Sequence, residues 1–469
     1  MRRAVTLSVA VAFAVLLVSG VWSGAAEEAE GATSKPNIVF ILADDMRKDD
    51  LKYMPKTRSL LGEKGMSFSN AFVSNALCCP SRATIMRGQY AHNTGVWTNE
   101  GSSGGLQAYR KEGNEKDNVA TRLDEAGYRT GLFGKYLNGY SGTSGKPPGW
   151  DRWFAHTDGS RFYNYKMNDD GKNVSFGTSA AAYETDVIAN RTKSFIGATA
   201  TAGEPFFAFV APRAPHTPST PAPRDKHAYD GLKARRLPSF NEKNIADKPP
   251  WIRKLPRLSD AKIAKIDNRA EKRAETLQSL DDLVAGIVGR LVDSGVLSKT
   301  YVFFTSDNGW HGGEHRIPKE KWRPYQEDIH MPLLVRGPGV AQGHRAHKLV
   351  LDTDYLPTFT SLAGEKTPKY VDGRSLQPVL KGNSTTWRSA ILLEAAARYS
   401  PAYRGILTSD GRKYVEYTGG NSELYHLSRD PYELNDSYDP NNPPASLADR
   451  LKKLRDCAAE KCLEAENGQ

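Results

Sequence analysis

Pro36-Asn37-Ile38-Val39-Phe40-Ile41-Leu42, running into Ala43-Asp44-Asp45, is the stretch whose reading decides the fold. Its apolar residues do not alternate, which is the pattern of a strand buried on both faces, and such strands belong to parallel sheets covered by helices. Tyr301-Val302-Phe303-Phe304-Thr305-Ser306 repeats the pattern and ends in Asp307-Asn308-Gly309. Arg129-Thr130-Gly131-Leu132-Phe133 and Phe206-Phe207-Ala208-Phe209-Val210 read as two more such strands. Leu277, Leu280, Val284, Ile287 and Leu291 mark a helix stripe that packs on the sheet ahead of the Tyr301 strand. Strand, loop and helix in repetition predict an α/β fold, a doubly wound mixed sheet flanked by helices. From about Trp387 the pattern changes. Residues 403–408 and 413–417 flank Ser409-Asp410-Gly411-Arg412, a hairpin signal, and 423–427 adds a third strand. The expected division is a catalytic domain over 35–386 and a small antiparallel subdomain with a helical tail over 387–469.

Parallel strands of one sheet deliver their following residues to a common carboxyl edge, where open α/β sheets build ligand sites. Asp44, Asp45, Asp307 and Asn308 would meet there as three carboxylates and an amide. Oxygen-only ligation suits Ca²⁺ or Mg²⁺ rather than zinc. Each pair also has an ordinary use, Asp44-Asp45 as a helix N-cap and Asp307-Asn308-Gly309 as a turn. Between them lies Ala76-Leu77-Cys78-Cys79-Pro80-Ser81-Arg82. Cys78-x-Pro80-Ser81-Arg82 matches the signature that formylglycine-dependent sulfatases present to their cysteine-modifying enzyme. Oxidised to an aldehyde and hydrated, Cys78 would offer one hydroxyl to attack sulfur and another to expel sulfate by re-forming the aldehyde; a thiol cannot take that second step. The alternative is a buried or disulfide-bonded cysteine pair before a turn.

Further stretches make an ordered series: Gly134-Lys135-Tyr136-Leu137-Asn138, Ala214-Pro215-His216, Asp281-Asp282-Leu283-Val284, Thr305-Ser306-Asp307-Asn308-Gly309-Trp310-His311, and, after Lys321 and Tyr325, Pro332-Leu333-Leu334-Val335-Arg336-Gly337-Pro338-Gly339. With them the chain resembles the type I, formylglycine-dependent sulfatase family of the alkaline-phosphatase-like superfamily, from Lys35 to about Tyr438. Its resemblance is greatest to the branch of N-acetylglucosamine-6-sulfatases and extracellular heparan 6-O-endosulfatases. The resemblance implies Asp44, Asp45, Asp307 and Asn308 as metal ligands, joined by an oxygen of the modified Cys78, with Ca²⁺ the expected ion and Mg²⁺ the other choice. It implies Arg82 as the arginine that holds the aldehyde hydrate, one helical turn beyond Cys78 if Cys78 opens a helix. Lys135 and Lys321 would grip the sulfate oxygens, and protonated His216 or Lys321 would neutralise charge on the leaving oxygen. Taken alone, a lysine is usually a solvated charge and a loop histidine a structural one.

One position departs from the family. Many members carry a histidine two residues after the lysine corresponding to Lys135, and here Leu137 stands there, although the close branch also has Tyr-Leu-Asn after the lysine. The base that triggers sulfate release is then sought at His311, just after the metal-binding turn, or at His92. Gly88 keeps the family's glycine, whereas Met86-Arg87 replaces its usual Leu-Thr, which bears on how well Cys78 is modified.

The 469 residues carry 64 Lys and Arg against 54 Asp and Glu, a net charge of +10. Such an excess favours an anionic substrate or serves solubility only. Its local maximum, residues 224–273, includes Pro249-Pro250-Trp251 and shows little periodicity. As an insertion it is expected to overhang the site and select substrate, with 224–243 either a formed rim or disordered. Met1-Arg2-Arg3, an apolar run over 4–18 and small polar residues over 19–26 read as an export signal; the run is shorter than the roughly 20 residues a membrane span needs. A secreted or extracytoplasmic protein without a stable membrane anchor is expected. Cys457 and Cys462 are near enough to bridge in an oxidising compartment, or remain two free thiols; Cys79 reads as structural. There is no nucleotide-binding glycine loop, residues 101–105 being a plain loop, and no nucleic-acid partner is expected. The reading is an exported sulfatase acting on a sulfate monoester, more on a sugar (6-O-sulfated hexosamine-like) than on an aryl group, with a formylglycine-generating enzyme as partner. The alternatives are a phosphomonoester, diester or phosphonate hydrolase on the same scaffold, or a non-catalytic sulfated-glycan binder if Cys78 stays a thiol.

Overall fold

In the computed structural model the described residues are Met1 and 35–469, save 158, 160, 384, 385, 399 and 469. The segment read as an export signal lies outside them. The main sheet has eleven strands: β1 (Asn37–Ala43), β2 (Met66–Phe72), β3 (Arg129–Gly134), β4 (Arg152–His156), β5 (Tyr165–Asp169), β6 (Lys172–Phe176), β7 (Phe206–Ala211), β8 (Thr300–Ser306), β9 (His330–Met331), β10 (Leu334–Arg336) and β11 (His344–Leu351). Their order is β11-β2-β10-β8-β1-β7-β3-β4-β5-β6, with β9 beside β2. The four apolar runs read from the sequence are β1, β8, β7 and β3, and they lie parallel at the centre. The edges contain antiparallel pairs, so the sheet is mixed.

All of β1 is buried because each face meets a helical layer. Ile38, Phe40 and Leu42 face one core, where the Phe40 ring stands 5.3 Å from that of Phe359 on the helix Tyr355–Leu362. Val39 and Ile41 face the other core, with Leu277, Leu280, Val284 and Ile287 of the helix Asp260–Asp293. Each such side chain contributes roughly 1.5–3 kcal/mol by leaving water, less the entropy of ordering it.

That long helix differs from the sequence reading. It starts at Asp260, where the Ser259 hydroxyl accepts from Lys262 N at 3.4 Å, so residues 260–273 are helical rather than aperiodic. Residues 227–236 are laid along this helix, whereas 240–248 pack against residues 313–316 and 434–436. The backbone N–H groups of His227, Gly231 and Ala234 donate to Glu275, Glu271 and Asp267 at 2.6, 2.9 and 3.0 Å. Those acids recur every four residues on one face, which fastens the segment instead of leaving it disordered.

The C-terminal sheet has four strands, not the three expected: β12 (Ala390–Ala395), β13 (Tyr403–Thr408), β14 (Arg412–Tyr417) and β15 (Ser422–His426), all antiparallel in that order. β12 is fully buried, with four apolar residues ahead of Glu394 and no alternation to announce it. The helices Ala445–Arg455 and Glu460–Asn467 cover the sheet, and the Cys457–Cys462 disulfide joins them.

His92 sits in the seam between the two sheets. Its Nδ1 lies 3.0 Å from Glu394 Oε2, and its Nε2 lies 2.8 Å from the Cys457 carbonyl. Burial lowers the pKa, but the hydrogen bond and charge of Glu394 outweigh burial and leave it above the ordinary 6.5. A folded pKa raised in this way makes the stabilising contribution complete below about 6.5 and removes it as pH rises through the folded value. His92→Gln is therefore expected to cost most stability at mildly acidic pH, the deficit shrinking above neutrality. Thermal melts across that range check this, and a deficit independent of pH would rule out a charged His92.

Candidate active site

β1 and β8 are paired in register, Ala43 opposite Ser306, so the residues after each strand meet at one edge. Asp45 N donates to Asp307 Oδ1 at 3.1 Å, and Asn308 Nδ2 donates to Asp45 Oδ1 at 2.7 Å. Asp45 has φ +68, a left-handed conformation that Asp tolerates better than most residues. The helix Cys78–Arg87 begins over this edge, and Cys78 Sγ lies 3.7 Å from Asp44 Oδ1 and 4.0 Å from Asp45 Oδ1. One turn on, buried Arg82 donates from Nε to Asp307 Oδ2 and from Nη1 to the Lys135 carbonyl, both at 2.8 Å.

The segments after β3, β7 and β8 deliver Lys135, His216 and Lys321. Gly134 at the end of β3 has φ +117, and a Cβ there would lie 2.1 Å from the Ala211 carbonyl oxygen, so only glycine lets the chain pass and release Lys135. Lys135 Nζ donates to Asp44 Oδ2 at 2.7 Å. Lys321 Nζ donates to Asp45 Oδ1 and lies 3.0 Å from Cys78 Sγ. His216, after β7, places Nε2 3.7 Å from Asp45 Oδ2 and Nδ1 2.5 Å from the Thr217 carbonyl.

Burial alone would raise the carboxyls of Asp44 and Asp45. Lys135 acts most on Asp44 and Lys321 most on Asp45; with His216 they overcome burial, and Asp44 ends well below the usual carboxylate range. Asp307 goes the other way, to about 6, because burial and the charge of Asp44 outweigh Arg82. Burial pushes the Cys78 thiol up and the His216 imidazole down. Lys321 is driven well above its ordinary value, since Asp45, Cys78 and Asp44 overcome its burial.

The donor set fits a hard cation. Asp45 Oδ2 and Asn308 Oδ1 are buried without a hydrogen-bond partner, and they stand among the oxygens of Asp44 and Asp307. One ligand atom each from Asp44, Asp45, Cys78 and His216 lies within 4.8 Å of all the others. Converging buried carboxylates are what a divalent ion relieves.

Above these groups opens a cleft of about 400 Å³ lined by Cys78, Lys135, His156, Arg213, His216 and Lys321, among others. Arg213 and His156 were not foreseen from the sequence. Both meet Glu184 Oε1, which accepts from Arg213 N at 3.1 Å and lies 2.8 Å from His156 Nε2. The Pro-rich loop after β7 offered a signal for His216 but none for Arg213. Two expected residues lie elsewhere. His92 is in the seam described above. His311 is fully buried with Nδ1 2.7 Å from Asp328 Oδ1, its pKa is pushed down to about 3 by burial, and it does not line the cleft. Gly309 explains this: Gly309 N and Trp310 N donate to the carbonyls of Asp328 and Glu327 at 2.9 Å, and a Cβ on Gly309 would lie 1.9 Å from the Glu327 oxygen. The chain therefore turns down against residues 327–328 directly after the Asp307 pair. Among the described residues lining the cleft none comes from 224–273; Lys265, Arg269 and Lys272 of that segment line a neighbouring groove that shares Thr217 with it.

The sulfatase family description matches residues 36–365, and the one described as N-sulphoglucosamine sulphohydrolase, C-terminal, matches 313–459. This chain belongs to the sulfatase family. The sulfatase is 35% identical to an N-acetylglucosamine-6-sulfatase of Capra hircus over 94% of this chain and 86% of that one. It is 40% identical to the N-acetylglucosamine-6-sulfatase of Homo sapiens over 81% of this chain and 70% of the relative. Among solved structures it resembles, with a TM-score of 0.76 and 22% identity, a protein in complex with its substrate D-glucosamine-2-N,6-O-disulfate, covering 93% of this chain and all of that one. A phosphonate monoester hydrolase from Silicibacter pomeroyi shares the fold at TM-score 0.70 and 22% identity, over 90% and 94% of the two chains. The fold is alkaline-phosphatase-like, and the sulfatase is a sulfuric ester hydrolase. No helix among the described residues is long and apolar enough to cross a membrane.

Proposed function

We propose that this sulfatase is an exported enzyme that removes sulfate from a 6-O-sulfated, glucosamine-type sugar. In this reading Cys78 is converted to formylglycine by a generating enzyme, and Asp44, Asp45, Asp307 and Asn308 hold Ca²⁺. The observation that carries the reading is the place of Cys78 Sγ, at a helix start, 3.7 Å from Asp44 and 3.0 Å from Lys321 Nζ, at the floor of a cationic cleft. Relatives named N-acetylglucosamine-6-sulfatase support the sugar, and a Drosophila melanogaster relative named extracellular sulfatase SULF-1 homolog, 34% identical over 81% of this chain and 35% of that one, supports export. Bound there, the cation would polarise the sulfate and favour the ionised nucleophile.

The chain's own groups account for the rest. Sγ of Cys78 stands in for the hydrate oxygens that attack sulfur. Lys135 and Lys321, which pair with Asp44 and Asp45 at the cleft floor, would bind the sulfate oxygens, and Arg213 adds a third positive group to the cleft wall. His216, hydrogen-bonded through Nδ1 to the Thr217 carbonyl, keeps Nε2 toward the cleft, where its doubly protonated form, or Lys321, would hand a proton to the leaving sugar oxygen. Arg82 fixes Asp307 and the Lys135 backbone through Nε and Nη1, and its buried Nη2, without a hydrogen-bond partner, is left to hold the aldehyde hydrate.

Peptide mass spectrometry on protein secreted by its own host is expected to show a loss of about 18 Da at Cys78, the difference between CH₂SH and CHO. The same sample is expected to hydrolyse an aryl sulfate faster than the matched aryl phosphate, to lose that activity in EDTA and to regain it with Ca²⁺. A thiol at Cys78 with metal-dependent glycan retention and no turnover would point to a binding protein. Faster phosphate release would point to a phosphoryl hydrolase.

A further inference from the structure

The first turns of the long helix separate their charges by face. Asp267, Glu271 and Glu275 point to one side and are consumed by the backbone of residues 227–234, with Arg236 pairing Asp267 at 2.7 Å. Lys265, Arg269 and Lys272 occupy the other side at the i, i+4, i+7 spacing of a single helical face, and both lysines are exposed. Among the described residues these three form no ion pair. Their face, floored by the small side chains of Ala261 and Ala264, lines a groove of about 630 Å³ against Thr217 and Pro218.

Two contacts join this groove to the catalytic cleft. Thr217 lines both, directly after His216. Arg269 stands 5.9 Å over the ring of Trp310, which lines the cleft. From Lys265 to Lys272 the helix advances about 10 Å, a span comparable to a disaccharide unit. We infer that this groove binds the sulfated sugar residues flanking the one under hydrolysis, so that the preferred substrate is a sulfated oligosaccharide rather than a free monosaccharide. The inference rests on the sulfatase reading above for the occupant of the cleft. It needs unpaired cations on a surface continuous with the site, a polyanion in extended form, and no rearrangement of the fold.

The test compares the full-length enzyme with Lys265→Ala/Lys272→Ala, whose side chains are exposed and outside the catalytic machinery. The substrates are an aryl sulfate and a heparin-derived hexasaccharide, and hexasaccharide binding is followed separately by fluorescence anisotropy. The double variant is expected to raise the hexasaccharide KM and Kd about tenfold, with the difference fading at high salt, and to leave aryl sulfate kcat/KM within about twofold. Unchanged hexasaccharide KM and Kd would overturn the inference, as would an equal loss on both substrates. So would single-stranded DNA of matched length binding as tightly and losing as much, because the surface would then be a general polyanion face. If wild type turns over neither substrate while hexasaccharide affinity still depends on the two lysines, the groove stands and the sulfatase reading falls.

Discussion

Cys78→Ala is expected to give a folded protein whose sulfatase kcat is lower by at least about 10⁴-fold. The substitution removes one buried sulfur and leaves a void costing on the order of 1 kcal/mol. Lys321 retains its bond to Asp45, Lys135 retains Asp44, and Arg82 retains Asp307, so the charge balance of the floor survives. What is lost is the group that, among the described residues, reaches both the carboxylates and Lys321 from the cleft floor with nucleophilic character. Single-turnover release from an aryl sulfate, with thermal melts of both proteins as the control for folding, reads the effect. A variant that melts with wild type and retains more than about one per cent of its rate would remove Cys78 from the reaction.

Arg82→Leu is expected to act on stability as strongly as on catalysis. Its guanidinium is 1% exposed and Asp307 is fully buried. Breaking such a pair from one side leaves an uncompensated charge, which costs about 3–5 kcal/mol. Here the remaining carboxyl is already raised to about 6 by burial and Asp44, so without Arg82 it takes up a proton near neutral pH and the penalty belongs at the lower end, growing as pH rises. The Lys135 carbonyl also loses its donor, and both halves of the sulfate-binding floor shift together. Arg82→Lys keeps a charge without the fork and is expected to fall between the two. Denaturant unfolding of the three proteins measures the series. A leucine variant within about 1 kcal/mol of wild type would mean that Asp307 is already neutral in the folded chain.

Much of this was legible in the sequence, for reasons that differ by residue. β1, β3, β7 and β8 carry unbroken apolar runs because helices cover both faces of the sheet, and a parallel sheet then dictates that Asp44, Asp307, Lys135 and His216 share an edge. Cys78 and Arg82 were legible through a short motif and the helical repeat. His311 was misplaced because proximity in sequence to Asp307 was taken as proximity in space, whereas the backbone pairing at Gly309 and Trp310 bends the chain away. Arg213 and the His156–Glu184 pair come from separate strands and loops with no pattern of their own, and only tertiary packing brings them to the cleft. The first turns of the long helix were hidden because their acidic face is buried by backbone N–H groups rather than by apolar residues, so no hydrophobic periodicity marks them.

Every residue of the helix Cys78–Arg87 is buried. An enzyme that recognises Cys78-x-Pro80-Ser81-Arg82 along an extended peptide has no access to it once this helix has closed over the sheet edge. Under the proposed formylglycine chemistry, activation would be a matter of biosynthetic timing: the chain would be armed before it folds or not at all, and the fraction of active molecules in a preparation would record the outcome of a race between two events. Protein folded with an intact thiol is expected to stay inert when the modifying enzyme is added afterwards, and to become convertible only if it is unfolded in that enzyme's presence. Conversion of the folded thiol form, followed by mass at Cys78, would contradict this order.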